Sequence, residues 1–203
     1  MAMDAHYLYI IDNLLDPSHV AWVHVTSFAG AGTDNRPLEI EELPDGVVVS
    51  RWIADEPPPP YYADILPFGP NCDRKQHYEC RLPATAVNMS VYTPVGEGGA
   101  DQTLSPNAFI NISYNFITPI NATSARYFWF QHRNMHAKDE AMSARMFEGA
   151  KMAFQEDKDV LEFVQKGMDK RRGDYINLGL DAGAMRFRTQ VAKRIQSEHT
   201  KGA

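Results

Sequence analysis

The composition of the chain changes at Ala137, and this change constrains the fold more than any other feature of the sequence. Residues 137–172 contain no proline and are rich in Ala, Glu, Lys, Met and Gln, which favour helices. The stretches before Ala137 are instead rich in aromatic and β-branched residues, which favour strands. Strands followed by helices predict an α+β fold, in which one or two long helices lie on a curved antiparallel sheet.

The predicted strands lie between residues 37 and 133. A β-hairpin is expected over residues 37–55, because Pro44, Asp45 and Gly46 form a turn signal between two apolar runs. Three further strands are predicted from their aromatic and β-branched content, and residues 118–123 are expected to form a loop between the last two. These three strands span residues 84–92, 108–116 and 124–133.

Two shorter segments are also predicted to be helical. Pro17 suits the first turn of a helix, where its missing N–H is not needed, and Asp16 suits the N-cap position, so a helix is expected over residues 17–25. A terminal helix is expected over residues 181–199. Residues 27–36, rich in glycine and small side chains, are predicted to form a loop at the rim of a pocket.

The overall composition excludes several classes of protein. With 203 residues the chain is expected to form a single domain. Its formal net charge of −6 and its pI near 5.6 argue against nucleic acid or an anionic membrane as a partner. No apolar run approaches the roughly 18 residues needed to span a membrane, and the N-terminus does not have the pattern of a signal peptide. Cys72 and Cys80 are expected to be reduced thiols of a cytoplasmic protein.

Residues 12–24 carry the clearest chemical signal. His19 and His24 are five residues apart, Asp16 precedes His19 by three residues, and Asn13 precedes Asp16 by three. Two histidines and one carboxylate, with coordination positions left open, are typical of non-haem Fe(II) oxygenases. Positions five apart on an ideal helix differ by about 140°, so a shared metal requires a distortion or a helix end between the two histidines.

A candidate for the third ligand lies on the long predicted helix. Asp157 follows the helical spacing of Phe154, Leu161 and Val164, and is therefore predicted to share their apolar face. A buried lone carboxylate is costly unless it is paired or binds a metal, so an arginine partner stays open as the alternative. The other charged residues of this segment are predicted to point elsewhere: Glu156, Lys158, Asp159 and Glu162.

Four segments, taken in order, resemble one known family. Residues 12–24 resemble the iron-binding segment of Rieske-type non-haem iron oxygenases, and most closely that of the catalytic domain of the vanillate O-demethylase oxygenase group. Residues 118–129, 154–162 and 181–188 resemble later segments of the same domain. The resemblance covers about residues 7–195, and it implies a helix-grip fold, with a substrate pocket between the curved sheet and the long helix.

The resemblance also implies roles for individual residues. His19, His24 and Asp157 would ligate mononuclear Fe(II). Asp16 would hydrogen-bond a ligand histidine and connect it to a Rieske [2Fe–2S] centre in a neighbouring subunit of a homotrimer. Asn13 would lie near the iron and its open coordination positions.

The reaction implied by the resemblance is the reductive activation of O₂. Electrons from an NAD(P)H-dependent reductase pass through the Rieske centre to the iron, and a C–H bond of a small aromatic substrate is hydroxylated. In O-demethylation the hydroxylated methyl group then leaves as formaldehyde. The sequence does not contain the clusters of two Cys and two His that hold a Rieske centre, so an external centre is expected.

Substrate contacts are implied at Asn115 and Phe116, which precede Ile117-Thr118-Pro119. In the family a polar residue in this region, often His, contacts an acidic aromatic substrate. Asn115 has no charge, which weakens a specific prediction of vanillate.

Two other functions stay open. A non-catalytic helix-grip module for an apolar small molecule would have a pocket but no metal, with Asp157 paired to an arginine. A zinc hydrolase that uses the same three ligands would act without O₂ or a reductant.

Overall fold

One antiparallel sheet of seven strands forms the centre of the computed structural model, which describes residues 1–30, 36–98, 104–171 and 176–201. The strands are β1 (Ala2–Met3), β2 (Glu39–Leu43), β3 (Gly46–Glu56), β4 (Cys72–Arg81), β5 (Thr85–Thr93), β6 (Phe109–Asn121) and β7 (Ser124–Arg133). The helices are α1 (Tyr7–Leu15), α2 (Val20–Val23), α3 (Pro60–Ala63), α4 (Glu140–Asp169) and α5 (Ala182–Lys201). The predicted α+β fold is therefore confirmed.

The strand order is β1-β7-β6-β5-β4-β3-β2, and successive strands along the chain from β2 to β7 are paired neighbours. The predicted hairpin is present, with Leu43 opposite Gly46 across the turn at Pro44 and Asp45. The predicted loop over residues 118–123 is wrong for its first four residues. There β6 continues to pair with β7 as far as Asn121, through a register shift that follows Pro119.

Alternation along β6 separates the two faces of the sheet. Phe109, Asn111, Ser113, Asn115 and Ile117 are buried on the inner face, and the residues between them are more exposed on the outer face. The inner face is covered by helices α1, α4 and α5. One face of the sheet is thus buried and the other faces solvent, as is common for antiparallel sheets.

Within the predicted helical stretch, residues 140–169 form one long helix, α4. Asp139 caps its N-terminus by accepting a hydrogen bond from the backbone N–H of Met142. Near its middle, Phe154 packs edge to face on Tyr127 and also contacts Trp129, both from β7. This packing places α4 across the inner face of the sheet, which is the helix-grip arrangement expected from the sequence.

The helix predicted over residues 17–25 is wrong at its start. An earlier helix, α1, ends at Leu15, and helix α2 begins only at Val20. The carboxylate of Asp16 accepts hydrogen bonds from the backbone N–H and the hydroxyl of Ser18, at 2.8 and 2.5 Å. This local turn competes with the helix, as short acidic side chains commonly do, and it separates α1 from α2.

The terminal helix agrees with the prediction within a few residues, since α5 covers Ala182–Lys201. Of the predicted loop over residues 27–36, residues 31–35 lie outside the described part of the chain. Cys72 and Cys80 are both free thiols and both buried, and burial raises the pKa of the Cys72 thiol to about 11. Among the described residues, none of the helices combines the length and the apolar character needed to cross a membrane.

Candidate metal centre

The two histidines of the iron-like segment occupy the two ends of helix α2. His19 is its N-cap and His24 its C-cap, and at His24 the backbone has already left the helical conformation, with φ −106° and ψ 41°. The separation of about 140° expected on a continuous helix therefore does not apply. The two imidazole rings meet edge to face, with centroids 5.3 Å apart.

The third candidate ligand comes from the middle of α4. Asp157 is 5% exposed, and its Oδ1 lies 3.2 Å from His24 Nε2 and 3.6 Å from His19 Nε2. The predicted arginine alternative finds no support, since among the described residues no arginine forms an ion pair with this carboxylate. The structure thus brings Asp157 to the two histidines that the sequence singled out, which precede it by 133 and 138 residues.

Each imidazole is held by an oxygen at its other nitrogen. His19 Nδ1 contacts the backbone carbonyl oxygen of Asp16, and His24 Nδ1 lies 2.7 Å from Glu156 Oε2. These acceptors favour a proton on Nδ1 of both rings, which leaves each Nε2 with a free lone pair. Both lone pairs are then on the nitrogens that approach Asp157.

Glu156 was missed by the sequence reasoning, which predicted that it points away from the apolar face of the helix. Adjacent helical positions differ by about 100° around the axis, so Glu156 does lie beside the face and not on it. His24 nevertheless reaches it, because the end of α2 turns the imidazole toward the flank of α4. The only sequence feature that could have indicated this contact is that Glu156 directly precedes the candidate ligand Asp157.

The electrostatics of the site favour a cation. Burial alone would lower the pKa of His24, but hydrogen bonds and negative charge from Asp157 and Glu156 outweigh it, so this pKa lies above its ordinary value. The two carboxylates that stabilise a proton on His24 would stabilise a metal ion at the same place.

The donor geometry fits a metal ion held by two histidines and one carboxylate. Asp157 Oδ1 is buried and faces the two imidazole Nε2 atoms at 3.2 and 3.6 Å, and a buried carboxylate is costly unless it is paired or binds a metal. One ligand atom from each of the three residues can be chosen so that all lie within 4.8 Å of one another. Ligand bonds of about 2.1 Å at right angles put neighbouring donor atoms about 3 Å apart. The distances from Asp157 Oδ1 to the Nε2 atoms of His24 and His19 are 3.2 and 3.6 Å.

The three residues line one end of a cavity of about 120 Å³ between the sheet and α4. This volume is somewhat below the roughly 150 Å³ of a cavity that binds benzene, so the space is on the scale of one small ring. Uncharged polar side chains from the sheet form much of its wall, and aromatic side chains form part of the remainder. The polar set includes Gln76, Asn88, Ser90, Asn111, Ser113 and Gln131.

The two predicted substrate contacts do not line this cavity. Asn115 is fully buried behind its wall, where it accepts a hydrogen bond from the Tyr127 hydroxyl at 2.7 Å and donates one to Asn88 Oδ1 at 2.9 Å. Phe116 is the next residue along β6, and alternation turns it to the outer face, where it is 40% exposed. The prediction of Phe116 as a pocket residue is therefore corrected.

A second, outer groove of about 500 Å³ lies where α1, α4 and α5 meet. Asn13 and Asp16 line this groove, whereas the inner cavity with the three candidate ligands does not include them. The carboxylate of Asp16 bonds Ser18, so the expected contact with a ligand histidine comes from its backbone carbonyl instead. Asp16 thus lies between the outer groove and His19.

Comparison with known proteins agrees with this geometry. Residues 3–197 match the family model described as the vanillate O-demethylase oxygenase C-terminal domain. A putative toluene-4-sulfonate monooxygenase system iron-sulfur subunit of Comamonas testosteroni is 29% identical, over 96% of this chain and 58% of that protein. A vanillate O-demethylase oxygenase subunit of a Pseudomonas species is 28% identical, over 97% of this chain and 61% of that protein.

The fold is similar to that of dicamba monooxygenase bound to 3,6-dichlorosalicylic acid, with a TM-score of 0.87 at 21% identity, over 98% of this chain and 58% of that one. The chain therefore spans somewhat over half the length of the proteins it matches. The family match extends over nearly the whole chain and includes all three residues that meet at the cavity. The chain belongs to the family of vanillate O-demethylase oxygenase C-terminal domains, a group of Rieske-type oxygenase catalytic domains.

Proposed function

We propose that this chain is the catalytic domain of an oxygenase that hydroxylates or O-demethylates a small aromatic substrate at mononuclear Fe(II). The observation that carries the proposal is the convergence of His19, His24 and Asp157 at one end of a ring-sized cavity. The overall reaction consumes one O₂, two electrons and two protons. One oxygen atom enters the C–H bond and the other leaves as water.

The residues of the chain would divide this work between them. Two imidazoles and one carboxylate occupy one side of a metal ion, and Fe(II) held in this way supplies the positions at which O₂ can be reduced. The cavity would orient the substrate ring beside those positions. The polar wall, with Asn111 and Gln131, gives the ring substituents hydrogen-bond partners.

The electron donor is proposed to dock at the outer groove. Asp16 and Asn13 are exposed to that groove, and the Asp16 backbone contacts His19, which makes a short connection from the surface to the metal site. A Rieske [2Fe–2S] centre outside the described chain, supplied with electrons by an NAD(P)H-dependent reductase, would provide both electrons. A homotrimer in the cytoplasm, in which one subunit's centre serves the next subunit's iron, stays part of this proposal.

The test is the iron content of the chain after anaerobic loading with Fe(II) and removal of excess metal. We expect about one iron per chain, and its loss in Asp157→Ala, because that change removes a third of the ligand set. Asp159→Ala is the matched control, since it removes an exposed acid from the same helix two residues away. Absence of tightly held iron in the unsubstituted chain would overturn the proposal.

The same preparation distinguishes the proposed oxygenase from the other two functions considered. A zinc hydrolase would retain Zn²⁺ and act without O₂ or reductant, and a non-catalytic binding module would bind aromatic compounds equally well in Asp157→Ala. The burial of a carboxylate against two imidazole nitrogens disfavours the binding module, because a pocket for apolar molecules has no need of such a polar cluster.

A further inference from the structure

We infer that Glu156 is a positioning residue that fixes the orientation and tautomer of His24 for metal binding. The inference rests on the proposed iron site and adds a residue outside its ligand set. Glu156 Oε2 lies 2.7 Å from His24 Nδ1, while Asp157 Oδ1 lies 3.2 Å from Nε2 of the same ring. Two successive residues of α4 thus contact the two nitrogens of one imidazole.

The arrangement decides which nitrogen of His24 is available to a metal. Neutral imidazole carries its proton on either nitrogen, and an acceptor at Nδ1 selects the form whose Nε2 has the lone pair. His24 itself is buried, so water does not supply a competing acceptor at Nδ1. Carboxylate partners of this kind orient metal-binding histidines and raise their basicity in other metal sites.

The two histidines are therefore not equivalent. His19 Nδ1 meets a neutral backbone carbonyl, whereas His24 Nδ1 meets a carboxylate. Hydrogen bonds to an ionised acceptor are roughly twice as strong as those between neutral groups. His24 is thus the more strongly oriented of the two candidate ligands, and Glu156 adds a second carboxylate to the site beside Asp157.

The backbone carbonyl at His19 cannot be removed by substitution, but the acceptor at His24 can. Glu156→Ala removes both the hydrogen bond and the charge. Glu156→Gln removes the charge and keeps an oxygen that can accept from Nδ1–H at nearly the same place. Asp159→Ala again serves as the control, because it removes one negative charge from the same helix. The Asp159 carboxylate bonds Gln155 and contacts neither histidine.

The first measurement is the dissociation constant for Co²⁺ and for Fe(II), by anaerobic competition with a chelator. We expect Glu156→Ala to weaken binding by about 10- to 100-fold. Glu156→Gln should recover most of that loss, and Asp159→Ala should bind as the unsubstituted chain does. Far-UV circular dichroism of each variant verifies that the fold is kept.

The second measurement uses the metal-free protein, so it does not depend on the proposed activity. Nitrogen-15 NMR of the histidine rings, recorded at a pH at which His24 is neutral, should show its proton on Nδ1 in the unsubstituted chain and in Glu156→Gln, and a shift toward the Nε2-protonated tautomer, which Asp157 favours, in Glu156→Ala. Unchanged metal affinity and tautomer in Glu156→Ala would overturn the inference, as would an equal loss in Glu156→Ala and Glu156→Gln. Failure of the unsubstituted chain to bind iron would overturn the proposed function while leaving the tautomer result intact.

Discussion

At the scale of single residues, this site depends on the oxygens behind the ligands as much as on the ligands. The family resemblance of residues 12–24 and 154–162, and not residue types and spacing alone, led to the prediction that His19, His24 and Asp157 share a metal. Their acceptors were not predictable in the same way. The contact of His24 with Glu156 depends on where a four-residue helix ends relative to a side chain 132 residues later in the sequence, and no local pattern encodes that placement.

Asn115 and Phe116 provide a prediction at the same scale. Asn115→Ala should lower the free energy of unfolding by about 2 kcal/mol, because it leaves the buried Tyr127 hydroxyl without its acceptor. Phe116→Thr should change it by about 0.5 kcal/mol or less, because the outer-face position keeps a strand-forming residue. Urea denaturation of both variants measures this difference. Equal destabilisation would show that Asn115 does not hold the strand network together.

At the scale of elements, the helices and strands with clear sequence patterns were predicted, and those with mixed polar and apolar patterns were not. The long helix and the hairpin were recognised because composition and turn signals agree along their whole length. Strand β4 was not recognised, because Asp73, Arg74, Lys75 and Gln76 break the apolar alternation. Part of its inner face lines the polar cavity, as Gln76 does, so the requirements of the site conceal the strand in the sequence.

The two glycines of α4 give a prediction for this helix. A Cβ at Gly149 would lie 2.2 Å from Tyr61 Cε2, whereas nothing lies within 4 Å of one at Gly167. The Tyr61 ring cannot withdraw freely, because it stacks on Phe28 at a centroid distance of 4.3 Å and donates a hydrogen bond to the Met146 carbonyl.

Gly167→Ala should therefore stabilise the protein by about 0.5–1 kcal/mol through helix propensity. Gly149→Ala should destabilise it, since overpacking of about 1–3 kcal/mol exceeds the same propensity gain. Thermal and urea unfolding of the two variants compare them directly. A stabilising Gly149→Ala would mean that the contact between α3 and α4 is loose.

At the scale of the whole molecule, the N-terminal segment is fixed by residues far away in the sequence. The backbone N–H of Asp4 donates to Glu162 at 3.0 Å, and that of His6 donates to Gln165 at 2.7 Å. Ala2 and Met3 pair with β7 at the edge of the sheet. These contacts close the fold around α4, and sequence patterns could not predict them because each joins a backbone group to a distant element.

Glu162 makes this closure dependent on pH. The hydrogen bond from the Asp4 backbone, followed by the contact with Lys158, holds the pKa of Glu162 below its ordinary value of 4.5. An acid whose pKa is lowered by folding stabilises the folded state when it is ionised, and that stabilisation is lost as the pH falls through the folded pKa.

Glu162→Gln should therefore lower the free energy of unfolding by about 0.5–1 kcal/mol at pH 7, and by much less at pH 3. Urea unfolding at both pH values tests this, with Asp159→Asn as a control for the loss of an exposed acid from the same helix. A cost for Glu162→Gln that is the same at pH 3 and pH 7 would mean that the carboxylate charge takes no part in holding the N-terminal segment to α4.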